Sequence, residues 1–214
     1  MLVKERMTRL PIVATPDLPV PEALHLMRQE HIRRMPVVDK SGRLVGIVSD
    51  RDLLLASPSP ATSLSAWEIT YLLGKITVHD VMTKKVITVT EDTPLEDAAR
   101  IMADSKIGGL PVVRDGALVG IITETDLFKL FLELLGARER GVRVTMLVPN
   151  VPGEMAKMTR AVTDCGGNII AVAGFTGTDP SNRRVLVKAN GVSREALVGA
   201  LTPVVTEIED VREV

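Results

Sequence analysis

The chain has 214 residues, 45% of them apolar and 25% charged, and a formal net charge of −1. This composition excludes a disordered chain, and near-neutrality leaves no overall field to draw the protein to nucleic acid or to an anionic membrane, so any anion must be held by a local site. No apolar run approaches the ~20 residues that span a bilayer, the opening MLVKERMTRLP has no signal-peptide core, and the single Cys165 cannot form an internal disulfide. The expectation is a cytoplasmic protein of at least two compact units, with Cys165 a structural thiol.

In chain order, Pro11 to Val13 reads as a short strand, followed by a helix with Val20, Ala23, Leu24 and Met27 on one face. Met35 to Asp39 and Arg43 to Ser49 read as a hairpin turning at Ser41 and Gly42, and a second helix begins after Ser49. Ser57 to Ser63 is a Ser- and Pro-rich loop. A short helix is predicted after it, with Ser65 and Glu68 as capping box, Leu64 and Ile69 as staple, and Gly74 as stop. Trp67 and Tyr71 face one way on that helix, suited either to an interface or to packing on the rest of the protein.

From Met82 the pattern repeats. A shift of 75 residues aligns Met7 and Thr8 with Met82 and Thr83, Ile12 with Ile87, Met27 with Met102, and Pro36 to Val38 with Pro111 to Val113. One residue is lost in the turn, and Leu44 to Ile47 then repeats as Leu118 to Ile121, and Asp52 as Asp126. Agreement broken only at a turn indicates duplication of a β-α-β-β-α unit. In the second copy Thr93 is predicted to cap a helix that has Pro94 at its first position and Leu95, Ala98, Ala99 and Met102 on its buried face.

The runs Pro36 to Val38 and Leu44 to Leu53, with their second-copy counterparts, resemble a tandem pair of CBS domains over residues 1 to about 135. The resemblance implies a pseudo-twofold module holding adenosine-containing ligands in clefts between the copies, with AMP, ATP, NAD and S-adenosylmethionine as candidates. It assigns the ribose hydroxyls to Asp52 and Asp126, next to Ser49 and Thr123, and places adenine against the backbone around Ile12, Val13, Arg34 and Met35, and around Ile87, Thr88, Gly109 and Leu110. Independently of any family, Ser49 with Asp52 and Thr123 with Asp126 have the spacing of a helix cap, so cap and ligand contact both stand as readings. Around a phosphate, the first copy offers His31, Arg33, Arg34 and Arg51, where the second has Lys106, Gly108, Gly109 and Thr125. Arginine holds phosphate bidentately, so the first copy is expected to take the phosphorylated ligand and the two sites to be unequal.

After a linker at 136–141 a different pattern begins. Val142, Val144, Met146 and Val148 alternate as a half-buried strand, and a helix follows with Met155, Met158, Val162 and Cys165 on one face and Gly166 and Gly167 at its end. Strands at Asn168 to Phe175 and Arg184 to Ala189, a helix starting at Ser193 and a strand near Val205 to Val211 complete a βαββαβ order. This order, with the turn Val148 to Glu154 and the run Gly166 to Ile169, resembles an ACT domain with a ferredoxin-like fold. The resemblance implies edge-to-edge pairing and an amino-acid site at Asn150, Gly153, Asn168 and Ile169; the alternative is pairing without a ligand.

The predicted chain is thus of the α/β (α+β) class, with CBS repeats at 1–60 and 77–135, a linker with a short helix at 61–76, and an ACT-like domain at 142–214, an order similar to acetoin-utilisation B-type CBS proteins. Its implied role is a non-catalytic allosteric sensor, a homodimer that binds an adenine nucleotide and passes the signal to a protein partner, without nucleic acid or membrane. The alternatives are a scaffold subunit without ligand, or the regulatory subunit of a metabolic enzyme. His25, His31 and His79 are scattered and there is no P-loop or nucleophile–base pair, so no catalytic residue, catalytic cofactor or metal site is expected.

Overall fold

The computed structural model describes residues 1–56 and 75–214, which form two compact units, Met1–Leu127 and Phe128–Val214. The predicted 57–63 loop and the helix bearing Ser65, Trp67, Glu68 and Tyr71, with its stop at Gly74, lie outside the described residues.

In the first repeat, β1 (Thr8–Arg9), α1 (Val20–Gln29), β2 (Arg34–Val38), β3 (Leu44–Ser49) and α2 (Asp50–Leu55) follow in order. The second has α3 (Val78–Val81), α4 (Leu95–Ser105), β4 (Gly109–Arg114), β5 (Ala117–Thr123) and α5 (Glu124–Leu134). Both hairpins turn through positive φ, at Gly42 in one and at Asp115 and Gly116 in the other. The longer first turn is pinned by the Asp39 carboxylate, which accepts from the backbone of Ser41 and Arg43 and from the Ser41 hydroxyl. The helical faces bury Val20, Ala23 and Met27 in α1 and Leu95, Ala98 and Met102 in α4. The expected Thr93 cap does not form. Thr93 Oγ1 instead accepts from the Thr90 backbone N–H, and the helix starts at Leu95 with Pro94 before it.

The predicted first strands are also corrected. Residues 11–13 and 86–88 belong to no strand, and next to them only Ala14 and Val89 bridge to their own hairpins, at Val37 and Val112. The real pairing at each repeat's start crosses to the other repeat: Thr8 pairs with Ile121 of β5, and Thr83 pairs with Ile47 of β3. This exchange explains the repeated Met-Thr and the glycine of Leu-Val-Gly-Ile together. A Cβ on Gly46 would lie 2.4 Å from Met82 Sδ, and one on Gly120 would lie 2.7 Å from Met7 Sδ. The exchange continues inward, because Val78 joins the first repeat's core with Met27, Met35, Val37, Val48 and Leu53. Likewise the Val3 N–H donates to Thr93 O of the second repeat. A hairpin with one free edge and one bare face gains both from its twin, and the two repeats therefore form one unit.

The second unit has β6 (Val142–Pro149), α6 (Glu154–Asp164), β7 (Asn168–Thr176), β8 (Asn182–Asn190), α7 (Arg194–Leu201) and β9 (Glu207–Glu213). The four strands form an antiparallel sheet in the order β7-β8-β6-β9. Val142, Val144, Met146 and Val148 face Met158, Val162, Leu197 and Leu201 in the core. Gly153 sits at the α6 N-cap with φ +94°, which phases the helix so that Glu154 is buried and Met155, expected inside, is 45% exposed. Cys165 is half-buried against this core, its thiol donating to Val162 O. The segment read as a linker is tied to the sheet: the buried Lys188 Nζ donates to Gly136 O at 2.8 Å and to Glu139 O at 2.5 Å.

Candidate functional site

Each hairpin of the repeat unit ends in a strand that runs directly into a helix, and the residue at that junction must satisfy the helix's first N–H groups. Ser49 does so for α2, its Oγ accepting from the Asp52 N–H. The Asp52 Oδ2 reciprocates, accepting from the Ser49 N–H at 2.8 Å and its hydroxyl at 2.6 Å. Asp126 Oδ2 accepts from the Thr123 N–H at 2.9 Å and hydroxyl at 2.7 Å. Among the described residues the other oxygen, Oδ1, of each carboxylate makes no hydrogen bond. Cap and ligand contact are therefore compatible: the cap uses one oxygen and fixes the rotamer, and the second remains available to a hydroxyl donor.

A cleft of about 540 Å³ opens at Asp52 and one of about 470 Å³ at Asp126. Both fall within the size range of small-molecule sites. Because the repeats exchange their starting segments, neither cleft belongs to one repeat. The Asp52 cleft is lined by Ser49, Asp50 and Arg51 of the first repeat with Lys85, Ile87, Lys106 and Gly109 of the second. The Asp126 cleft is lined by Thr123, Glu124 and Thr125 with Leu10, Ile12 and His31. Arg33 and Arg34 line both.

The grouping of cations by repeat is thereby corrected: Lys106, counted with the second copy, faces the Asp52 cleft, and His31, counted with the first, faces the Asp126 cleft. At equivalent positions the Asp52 cleft carries Arg51, Lys85 and Lys106 where its twin has Thr125, Leu10 and His31. His31 and Lys106 hold matching left-handed backbones just after α1 and α4, with φ of +53° and +54°. That conformation costs a non-glycine residue about 1 kcal/mol or more. Val13, Met35, Thr88 and Leu110 line neither cleft. Met35 and Leu110 are fully buried, since successive strand residues point to opposite faces and their neighbours Arg34 and Gly109 take the cleft side. Lys85 and Glu124 line clefts without having been singled out, and aligning each repeat's start with the other repeat's hairpin would have found them.

In the second unit a cleft of about 320 Å³ brings Asn150 and Gly153 together with Glu154, Met155 and Arg183. Asn168 and Ile169 are not part of it. Asn168 pairs with Asn190 at one end of β8, while Pro149, next to Asn150, pairs with Asn182 at the other. The four residues expected to line one site thus lie at opposite ends of the sheet within a chain.

Among the described residues no three His, Cys, Asp or Glu side chains gather as a metal ion requires, and no helix is long and apolar enough to cross a membrane.

Comparison with known proteins gives these features a family. Residues 3–59 and 78–133 match the CBS domain, and residues 140–212 a TTHA0829-like ACT domain. A CBS domain-containing protein of Dictyostelium discoideum is 34% identical over 136 residues, covering 63% of this chain and 94% of that protein. The L-aspartate semialdehyde sulfurtransferase of Methanocaldococcus jannaschii is 34% identical over 61% of this chain, but the match spans 23% of that enzyme. The CBS pair of protein MJ0100, solved with 5′-methylthioadenosine and S-adenosyl-L-methionine, is similar with TM-score 0.52 and 32% identity over 65% of this chain and 98% of that one. A putative acetoin utilization protein from Vibrio cholerae gives 0.54 and 35% over 64% and 96%. CBSX2 in complex with AMP gives 0.53 and 34% over 61% and 96%. The chain belongs to the CBS-domain family, as a CBS pair joined to a TTHA0829-like ACT domain.

Proposed function

We propose that this protein is a non-catalytic sensor that takes a phosphorylated adenine nucleotide, AMP being the simplest, in the Asp52 cleft and a less anionic adenosine compound such as S-adenosylmethionine in the Asp126 cleft. The observation that carries this is the pairing of a capped aspartate, one oxygen still available, with Arg51, Lys85 and Lys106 in one cleft, against Thr125, Leu10 and His31 in the other. Relatives of the same fold support the ligand class, since one is solved with AMP and another with S-adenosyl-L-methionine and 5′-methylthioadenosine. ATP or NAD would extend from the same cations. CBS-pair relatives are in general regulatory, and the hydroxyl–carboxylate pair of each cleft is engaged at a strand-to-helix junction, which favours sensing over catalysis.

Two further parts of the reading rest on the second unit and on α5. The Asn150 and Gly153 cleft places the buried Glu154 carboxylate, paired with Lys157, near Arg183, a mixture of charges suited to a zwitterion such as an amino acid. Phe128, Phe131 and Leu134 are 67%, 52% and 60% exposed on α5, an apolar surface that a second copy would cover in a homodimer. Mass spectrometry of ligands released from the purified protein, followed by calorimetry with AMP, tests the nucleotide site. Asp52→Ala is expected to weaken AMP binding by about tenfold or more, as the loss of a charged acceptor costs ~1.5 to 3 kcal/mol. An affinity within twofold of wild type, with the fold intact, removes Asp52 from the site.

A further inference from the structure

We infer that Arg34, of the two arginines that line both clefts the one laid across Gly108 and Gly109, couples the clefts negatively for phosphorylated ligands. The inference rests on the nucleotide reading above. Arg34 opens β2 opposite Ser49 and lines both clefts. Its side chain crosses onto the other repeat. A Cβ on Gly108 would lie 2.1 Å from Arg34 Nη2 and 2.6 Å from its Cζ, and one on Gly109 would lie 3.3 Å from its Cδ. Gly108 and Gly109 are the repeat equivalents of Arg33 and Arg34, so Arg34 fills the space that its own counterpart would need. Of the paired positions 34 and 109, only one therefore has room for an arginine.

A second observation shows that this cation is uncommitted. Arg34 is half-buried, yet its guanidinium makes no hydrogen bond or ion pair among the described residues. The Glu124 carboxylate approaches the same point, 2.6 Å from where a Gly108 Cβ would lie, and so biases Arg34 toward the Asp126 cleft. A guanidinium turned into one cleft to grip a phosphate bidentately is turned away from the other. A phosphate bound at Asp52 thus withdraws the shared cation and leaves the Asp126 cleft with His31, Arg33, Glu124 and Asp126. The coupling acts equally in both directions.

Calorimetric titration of the full chain with AMP, and with adenosine as the probe lacking phosphate, reads this coupling. Asp52→Ala and Asp126→Ala disable one cleft at a time at AMP concentrations too low to fill the weakened one, and so give the affinity of the other alone. In wild type the second AMP is expected to bind about tenfold more weakly than AMP binds the same cleft when its twin is disabled, within the usual 5- to 150-fold range of coupled sites. Adenosine should show a ratio within about twofold of unity, and so should AMP in Arg34→Ala and in the longer Arg34→Gln. If AMP fills both clefts without coupling in wild type, fills only one cleft even when the other is disabled, or stays coupled in both Arg34 variants, the sharing is wrong and the nucleotide reading stands. If AMP binds neither cleft, the nucleotide reading falls and the coupling with it.

Discussion

In the Asp52 cleft the positions around the capped carboxylate carry Arg51, Lys85 and Lys106, while in the Asp126 cleft the equivalent backbone carries Thr125, Leu10 and His31. The aspartate bonds at the two junctions agree closely, with Oδ2 accepting at 2.8 and 2.6 Å in one and 2.9 and 2.7 Å in the other. Duplication thus kept the part of the site made by hydrogen bonds to the chain and varied the part made by charge. The reason is energetic: each aspartate fixes a strand-to-helix junction, where one such bond is worth about 1 kcal/mol to folding, whereas a cation at a cleft rim contributes little until an anion arrives.

The comparison breaks or sharpens at several places. The largest effect is expected in packing. Leu53 is fully buried and its repeat equivalent Leu127 only half-buried. Leu53→Ala should lower unfolding free energy by ~2 to 5 kcal/mol and Leu127→Ala by clearly less, read by chemical denaturation of each variant. Equal losses would mean that the repeats are packed alike.

Next comes charge. The triple change Arg51→Thr, Lys85→Leu and Lys106→His installs at each position the residue its twin already carries on the same backbone. AMP affinity at the Asp52 cleft should then fall by about tenfold or more, while adenosine affinity moves little, since charge-assisted contacts to phosphate are the strong ones. Calorimetry with both probes separates the outcomes, and a matching loss for adenosine would show that the cations shape the cleft rather than hold phosphate.

The smallest effect lies in the second unit, on its sheet. Arg184 grips Glu209 with two hydrogen bonds, holding the Glu209 carboxyl below its ordinary value and raising the guanidinium. A carboxylate with a depressed folded-state value adds stability that is present above its unfolded value and lost as pH falls through the folded one. Thermal melts of wild type should therefore converge on those of Glu209→Gln as pH drops below the ordinary glutamate range, and the difference at neutral pH should be small because the pair is exposed to solvent. A constant difference at every pH would assign the effect to shape.

Much of this was legible in the sequence. The two repeats, their hairpins, the βαββαβ order of the second unit and the twin Ser–Asp and Thr–Asp pairs all follow from local spacing and from self-alignment, because strand and helix periods and cap spacings are local quantities. Met155 misled, since Glu154 takes the buried position in the first turn while Met158 and Val162 stay inside as expected. Thr93 misled as well, its hydroxyl being taken by Thr90.

What tertiary structure alone decided is which residues meet. Met7 and Gly46 recur in both copies, but only the fold shows that Met82 rests on Gly46 and Met7 on Gly120, so that each repeat's beginning completes the other. That exchange moved Lys106 and His31 to opposite clefts from those expected and laid Arg34 across Gly108 and Gly109. Sequence determined the pieces because each folds by contacts a few residues apart; the clefts arise between pieces some 75 positions apart, where only packing of one repeat on the other sets the neighbours.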